Sequence, residues 1–412
     1  MDYLHALPTE LWREILLTTR AEYDWGPLGR AFGSFVHDSI WIGDAERARH
    51  QGQAKFLGLL RTCKTLYPLV EEAAWSSICL AIHSTLDQLF IDAALGIGAS
   101  GQPRGRSTKT VHVTFKCSQD GHLDTYNLVN PWLLHTICPN LHEYNLIDYN
   151  SILIATSGGN LFQRDKQAAN WASKVTSLYL NIGRISPDHI RFLAKWFPSL
   201  CALTLWSLCG DPSRWQAVTF PVLRRFYIHQ AMTKARHILS AMHTPQLEVL
   251  HMDISGEESG ILRCISAIKQ TLISLSAPYY SFRPPHPDLV PLPFIFYSLP
   301  KLQTLEVTFQ PDTENVGDIH PELLIVKGTV FPLEELEVYV SHALISRSPR
   351  KPKELSRFLR YYFPKDWYPH IRRLVLKGGG FSARRDTISC LKDAAQDAIP
   401  QAEVDWVGRI VD

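Results

Sequence analysis

In the stretch PQLEVLHM, residues 245–252, apolar side chains stand at Leu247, Leu250 and Met252, and a proline stands two places ahead of the first. The same phrase recurs along the chain: apolar, two residues, apolar, one residue, apolar. It reads LHEYNL from Leu141, VTSLYL from Val175, LCALTL from Leu200, LRRFYI from Leu223 and LEVLHM from Leu247. It continues as LISLSA from Leu272, LQTLEV from Leu302, LEELEV from Leu333 and IRRLVL from Ile371. In six of these nine phrases a proline precedes by two: Pro139, Pro198, Pro221, Pro245, Pro300 and Pro369. The steps between phrases are 34, 25, 23, 24, 25, 30, 31 and 38 residues, the range of a stacked repeat. An earlier VHVTF from Val111 supplies one more strand of the same kind.

The alternation within a phrase is that of a strand. Its fourth and sixth residues point one way and its third and fifth the other. Between phrases the periodicity changes to that of a helix. SPDHIRFLAKWF opens with Ser186 as a cap and Pro187 in the first turn, and TKARHILSAMH and ILRCISAIKQT have the same character. Strand, loop, helix and return give an α/β fold over residues 107–412: an irregular leucine-rich-repeat solenoid with a parallel concave sheet. The asparagine that usually follows the strand is replaced by Leu208, Ala231, Ser255 and Gln310, so the repeats are degenerate.

The outward third and fifth positions are the candidate binding residues. In the middle repeats they include Tyr179, Arg225, Tyr227 and His251, with Trp206 just after its strand, a composition typical of interface anchors. Charge concentrates further on. Residues 345–385 hold twelve Lys and Arg against Glu354 and Asp366, whereas residues 300–340 hold two Lys and eight acids. Arg350, Lys351 and Lys353 are read as lying in a Pro-containing loop. With Arg373 beside its strand they form a basic rim suited to an acidic or phosphorylated protein partner.

At the other end, LPTELWREILLTT (residues 7–19) is a helix pattern with Pro8 in the first turn and Glu10 near the N-terminus. FLGLLRTCKTL (residues 56–66) repeats apolar residues at helical spacing, and Pro68 starts a third short helix running to Trp75. Three such helices bury little on their own and need a partner surface. The pattern formed by Leu7, Pro8, Glu10, Leu11, Ile15 and Leu16, then Leu59, Leu60, Cys63 and Lys64, then Trp75, resembles an F-box of the fungal type. The separation of the first two blocks, Arg20 to Lys55, is longer than is usual in that family.

The resemblance implies an F-box-like helical domain over residues 1–82 with an insertion at about 20–55, followed by a helix and flexible linker at 83–106. It implies a Skp-type adaptor held by Leu7, Pro8, Glu10, Leu11, Ile15, Leu59, Leu60, Cys63 and Trp75, with a cullin bound through that adaptor. The chain then acts as the substrate-recognition subunit of a Skp–cullin–F-box ubiquitin ligase, holding a protein substrate on its repeats. The alternative is a non-catalytic repeat scaffold with no ubiquitin-ligase role.

Other readings carry less. The net charge of +2 argues against a strongly basic nucleic-acid binder. No apolar run reaches membrane-spanning length, and the N-terminus lacks the basic start of a signal peptide. Eight scattered Cys without a C-x-x-C, and no Asn-x-Ser/Thr site, point to reduced thiols and a cytoplasmic or nuclear location. Gly96-x-Gly98-x-x-Gly101 has dinucleotide-loop spacing but follows a helical pattern rather than a strand, so it reads as linker. His135, Cys138 and His142 are split by Pro139, and Asp120, His122 and Asp124 read as a polar loop. The expectation is therefore no enzyme, no cofactor and no metal.

Overall fold

A computed structural model describes residues 8–16, 66–82, 88–115, 136–148, 173–181, 185–206, 216–231, 241–254, 268, 270–277, 299–309, 330–340 and 351–411. The fold class is α/β, with parallel strands throughout. The described residues fall into two compact units, one ending at 206 and the other starting at 216.

The first unit holds helix α1 (residues 9–16), α2 (Tyr67–Ser76), β1 (Ser77–Ile82), α3 (Gln88–Leu95), β2 (Thr110–Phe115), β3 (Glu143–Asp148), β4 (Ser177–Asn181), α4 (Pro187–Trp196) and β5 (Ala202–Leu205). Strands β1 to β5 pair in chain order. The second unit holds β6 (Val218–Thr219), β7 (Arg225–Ala231), β8 (Met242–His243), β9 (Val249–Ile254), β10 (Ser274–Ala277), β11 (Thr304–Phe309), β12 (Glu335–Val340), α5 (Lys351–Tyr362), β13 (Arg373–Arg384), α6 (Arg385–Ala398) and β14 (Glu403–Val411). There β7 and β9 to β14 form one ladder in chain order, and β6 with β8 forms a separate short one.

The six phrases preceded by a proline share one local structure. The proline is the second residue of a β-turn, where its fixed φ fits. The turn closes by an N–H donated from the phrase's first residue to the carbonyl three residues back. Leu200 donates to Phe197 O, Leu247 to Thr244 O and Leu302 to Leu299 O, each at 3.2 Å. The second residue then offers its carbonyl to two amides of the next phrase. Glu248 O, for example, accepts from Ile273 and Ser274 at 2.8 and 2.9 Å. This repeated acceptor fixes the register from strand to strand.

Burial follows the phrase. Its first residue, from Leu141 to Ile371, is 1% exposed or less in all nine cases. The fourth and sixth residues, such as Leu178 and Leu180 in the first unit or Leu336 and Val338 in the second, complete the apolar face of each unit. Burying one such side chain is worth roughly 1.5–3 kcal/mol, so the core rests on the positions that define the repeat. The helix expected after Ser186 is present as α4. The Ser186 N–H donates to Nδ1 of His189 at 3.0 Å, so His189 fills the place that Glu takes in a capping box. Burial holds the His189 imidazole below its usual pKa, in keeping with a nitrogen that accepts. The other two expected helices fall mostly outside the described residues.

Four expectations change. Residues 77–82, placed at the end of the helical domain, are strand β1 and pair with β2. The stretch Gly96–Ser107, read as flexible linker, is an ordered turn. Gly98 N–H donates to Gln102 O at 2.8 Å, Gly101 takes φ +74°, and a 3-10 turn follows at Arg104–Ser107. Glu71 of α2 clamps it, accepting from Ala99 N–H at 2.6 Å and Arg104 Nε at 2.8 Å. Lys351 and Lys353, read as loop residues, belong to helix α5. Strand β14 carries no recognised phrase, because polar Gln401 stands where its register with β13 places the phrase's first apolar residue.

Candidate functional site

The first candidate surface lies on α1. Its inner side packs Leu16 and Trp12 against Leu66, Leu69, Val70, Ala73 and Ala74 of α2 and its approach. Arg13 adds an exposed ion pair to Glu72 at 3.1 Å. One turn apart on the same helix, Leu11 and Ile15 are each 45% exposed. Residues four apart share a helix face, so the two form one exposed apolar patch. Pro8 and Glu10 are also exposed, while Trp75 is half-buried and its carbonyl accepts the Thr108 hydroxyl at 2.8 Å. Leu7, Leu59, Leu60 and Cys63 lie outside the described residues.

The second candidate is the outward row of fifth residues. In the first unit it runs through His112, Asn145, Tyr179 and Thr204, and in the second through Tyr227, His251, Ser276, Glu306 and Glu337. A solvent-facing row was expected, and much of it is buried. Tyr179 is 8% exposed and His251 only 2%. Asn145 Nδ2 lies 2.9 Å from His112 Nδ1, and the Tyr227 and His251 rings stack at 6.1 Å. These side chains support one another along the sheet and are not free contact residues. Arg225 is exposed, and Tyr227 and Trp206 are half-buried.

Within this row the second unit carries a buried charge network spanning five strands. Lys377 Nζ on β13 donates to Glu337 Oε2 at 2.5 Å and to Glu306 Oε1 at 3.2 Å. Ser276 donates its hydroxyl to the other oxygen of Glu306, and His251 Nδ1 lies 3.9 Å from that oxygen. Glu306 and Lys377 are both almost fully buried. Burial pushes the Glu306 carboxyl up to about 7; Glu337 adds to the rise, while Lys377 and the Ser276 hydroxyl oppose it. One ammonium facing two carboxylates leaves an excess negative charge unless one of them is protonated. The sequence signal was faint. Glu306 and Glu337 sat in the outward row, but nothing marked Lys377, which follows the last phrase and precedes three glycines.

The expected basic rim is not assembled as such. Arg373 is exposed, but it donates to Glu335 and Asp405, both at 3.1 Å, on the strands either side. Its charge is locally neutralised. Arg350 lies outside the described residues, and Lys353 sits exposed on α5.

Of the sequence's metal candidates, Cys138 is buried and its thiol pKa is pushed up to about 11 by that burial, which disfavours a ligating thiolate. Among the described residues no group of three or more His, Cys, Asp or Glu could hold a metal ion, and no helix is long and apolar enough to cross a membrane. No protein-family model matches this chain, and no curated protein sequence matches it significantly.

Proposed function

We propose that this chain is the substrate-recognition subunit of a Skp–cullin–F-box ubiquitin ligase, acting in the cytoplasm or nucleus. The observation that supports the reading best is the placement of Leu11 and Ile15. The F-box resemblance assigns both to adaptor contact, and both are exposed on a helix whose other side is already packed. Large apolar side chains held at the surface by a buried neighbour suit an interface anchor. In this reading the parallel strands belong to a degenerate leucine-rich-repeat solenoid that holds a protein substrate. Arg225, exposed beside half-buried Tyr227, is the contact residue best placed in the second unit. The subunit performs no chemistry. It raises the effective concentration of a substrate near the transferring enzyme.

Co-expression with a Skp adaptor, followed by affinity purification, tests this. A stoichiometric complex that survives salt supports it. A folded chain that purifies without the adaptor points instead to a repeat scaffold outside the ubiquitin system.

A further inference from the structure

Helices α5 and α6 pack side by side in the second unit and leave a cleft of about 570 Å³ between them. It is a shallow groove, largely open to solvent. Helix α5 is anchored by its inner face, where Leu355, Phe358 and Leu359 are buried and the Phe358 ring lies tilted against Phe309, centroids 5.1 Å apart. Its opposite face points Lys353, Arg357 and Arg360 at the cleft, with Pro352, Tyr361 and Ala394 supplying apolar wall. Arg360 is paired with Asp397 of α6 at 2.5 Å. Among the described residues, neither Lys353 nor Arg357 has a carboxylate partner. The cleft therefore carries three cations against one anion, with two cations uncompensated.

We propose that this cleft is a docking site for an acidic segment of a partner protein, an extended peptide with carboxylates at alternate positions. The spacing selects that occupant. Lys353 and Arg357 are four residues apart on a helix, a rise of about 6 Å. Side chains two apart on an extended chain are separated by about 6.6 Å and share a face. Two carboxylates of a Glu-x-Glu segment thus meet the two cations, and the residue between them turns away. The cations are strung along α5 and do not converge on one point, which favours spread carboxylates over a single phosphate group. Pro352, Tyr361 and Ala394 give the peptide's intervening atoms an apolar surface. The site is on the helical layer, not on the strand face, and it does not rest on the adaptor reading.

The test uses the full chain and fluorescence anisotropy with a short labelled peptide of alternating Glu and Ala. The Glu peptide binds, its Gln counterpart does not, and affinity falls as salt rises because exposed charges are screened. The double change Lys353→Glu and Arg357→Glu weakens binding by about tenfold or more, while Lys353→Arg with Arg357→Lys largely keeps it. Both side chains are exposed, so the thermal midpoint stays put. If the reversed variant does unfold, Lys353→Gln with Arg357→Gln replaces it, with the same loss expected. Three results overturn the proposal: no binding of the Glu peptide at low salt, equal binding of Glu and Gln peptides, or Glu-peptide binding unchanged by the double variant. A short single-stranded oligonucleotide that displaces the peptide and binds more tightly also overturns it, in favour of a nucleic-acid site.

Discussion

The ammonium of Lys377 reaches across β12 to lie 3.2 Å from the carboxylate of Glu306, two strands away and equally buried. Lys377 also holds Glu337, so it serves two carboxylates with one charge. Removing charges of this kind from water is costly, and the contacts only partly offset that cost. Burial raises the Glu306 carboxyl from about 4.5 to about 7, and Glu337 adds to the rise while Lys377 opposes it.

Stability should therefore depend on pH in a stated direction. Glu306 has a folded pKa above its unfolded one, so its contribution is full below about 4.5 and is lost as pH rises through about 7. Between pH 6 and 8 this group should cost the second unit about 1 kcal/mol, or roughly 2–4 °C in melting temperature. Glu306→Gln should flatten that slope. Thermal unfolding at several pH values checks it, and a slope unchanged in the variant would assign the dependence to other groups.

Gly378 follows Lys377 and faces the ring of Trp406 on β14. A Cβ at this position would come within 2.3 Å of Trp406 Cζ2, far inside contact distance. Gly378→Ala should force the indole aside and destabilise by about 1–3 kcal/mol, as overpacking does. Denaturant unfolding followed by tryptophan fluorescence reads both the loss and the change in indole environment.

Glu71→Ala should release the turn at residues 96–107. It removes the acceptor of both Ala99 N–H and Arg104 Nε and leaves a partly buried guanidinium unpaired. The expected loss is about 2 kcal/mol, concentrated locally. Hydrogen exchange at Ala99 should quicken while exchange in β4 and β5 stays slow. Equal quickening everywhere would mean the clamp supports the whole unit.

Two outward-position residues, one third and one fifth in its phrase, should separate cleanly on substitution. His251→Ala leaves a gap among buried polar groups beside Glu306 and should lower the melting temperature by several degrees. Arg225→Ala touches an exposed residue and should leave it nearly unchanged. If His251→Ala proves as mild as Arg225→Ala, the row is a wet face after all.

These contrasts show what the chain made legible. A Leu followed at three and five by further apolar residues, with Pro two before, gave each turn, strand and inward face, because turn chemistry and alternation are local. Strands β1 and β14 escaped, since SICLAI has no turn proline and polar Gln401 stands where β14 would open its phrase. Helix α5 was hidden by Pro352, which reads as a loop residue yet sits harmlessly in the first turn. The charge network was only faintly legible. Alternation says which face Glu306 and Lys377 share, but not that the face is covered, nor that residues 71 positions apart meet.

The central claim is that α1 presents an adaptor anchor, and a binding titration of the purified chain with a Skp adaptor tests it most directly. Leu11→Glu with Ile15→Glu places charge in the apolar contact while leaving Leu16 and Trp12 packed on α2. The account predicts tight binding by the unaltered chain and a loss of about 100-fold or more in the variant, with an unchanged unfolding transition. Equal binding by both proteins, or no binding by the unaltered chain, would contradict it.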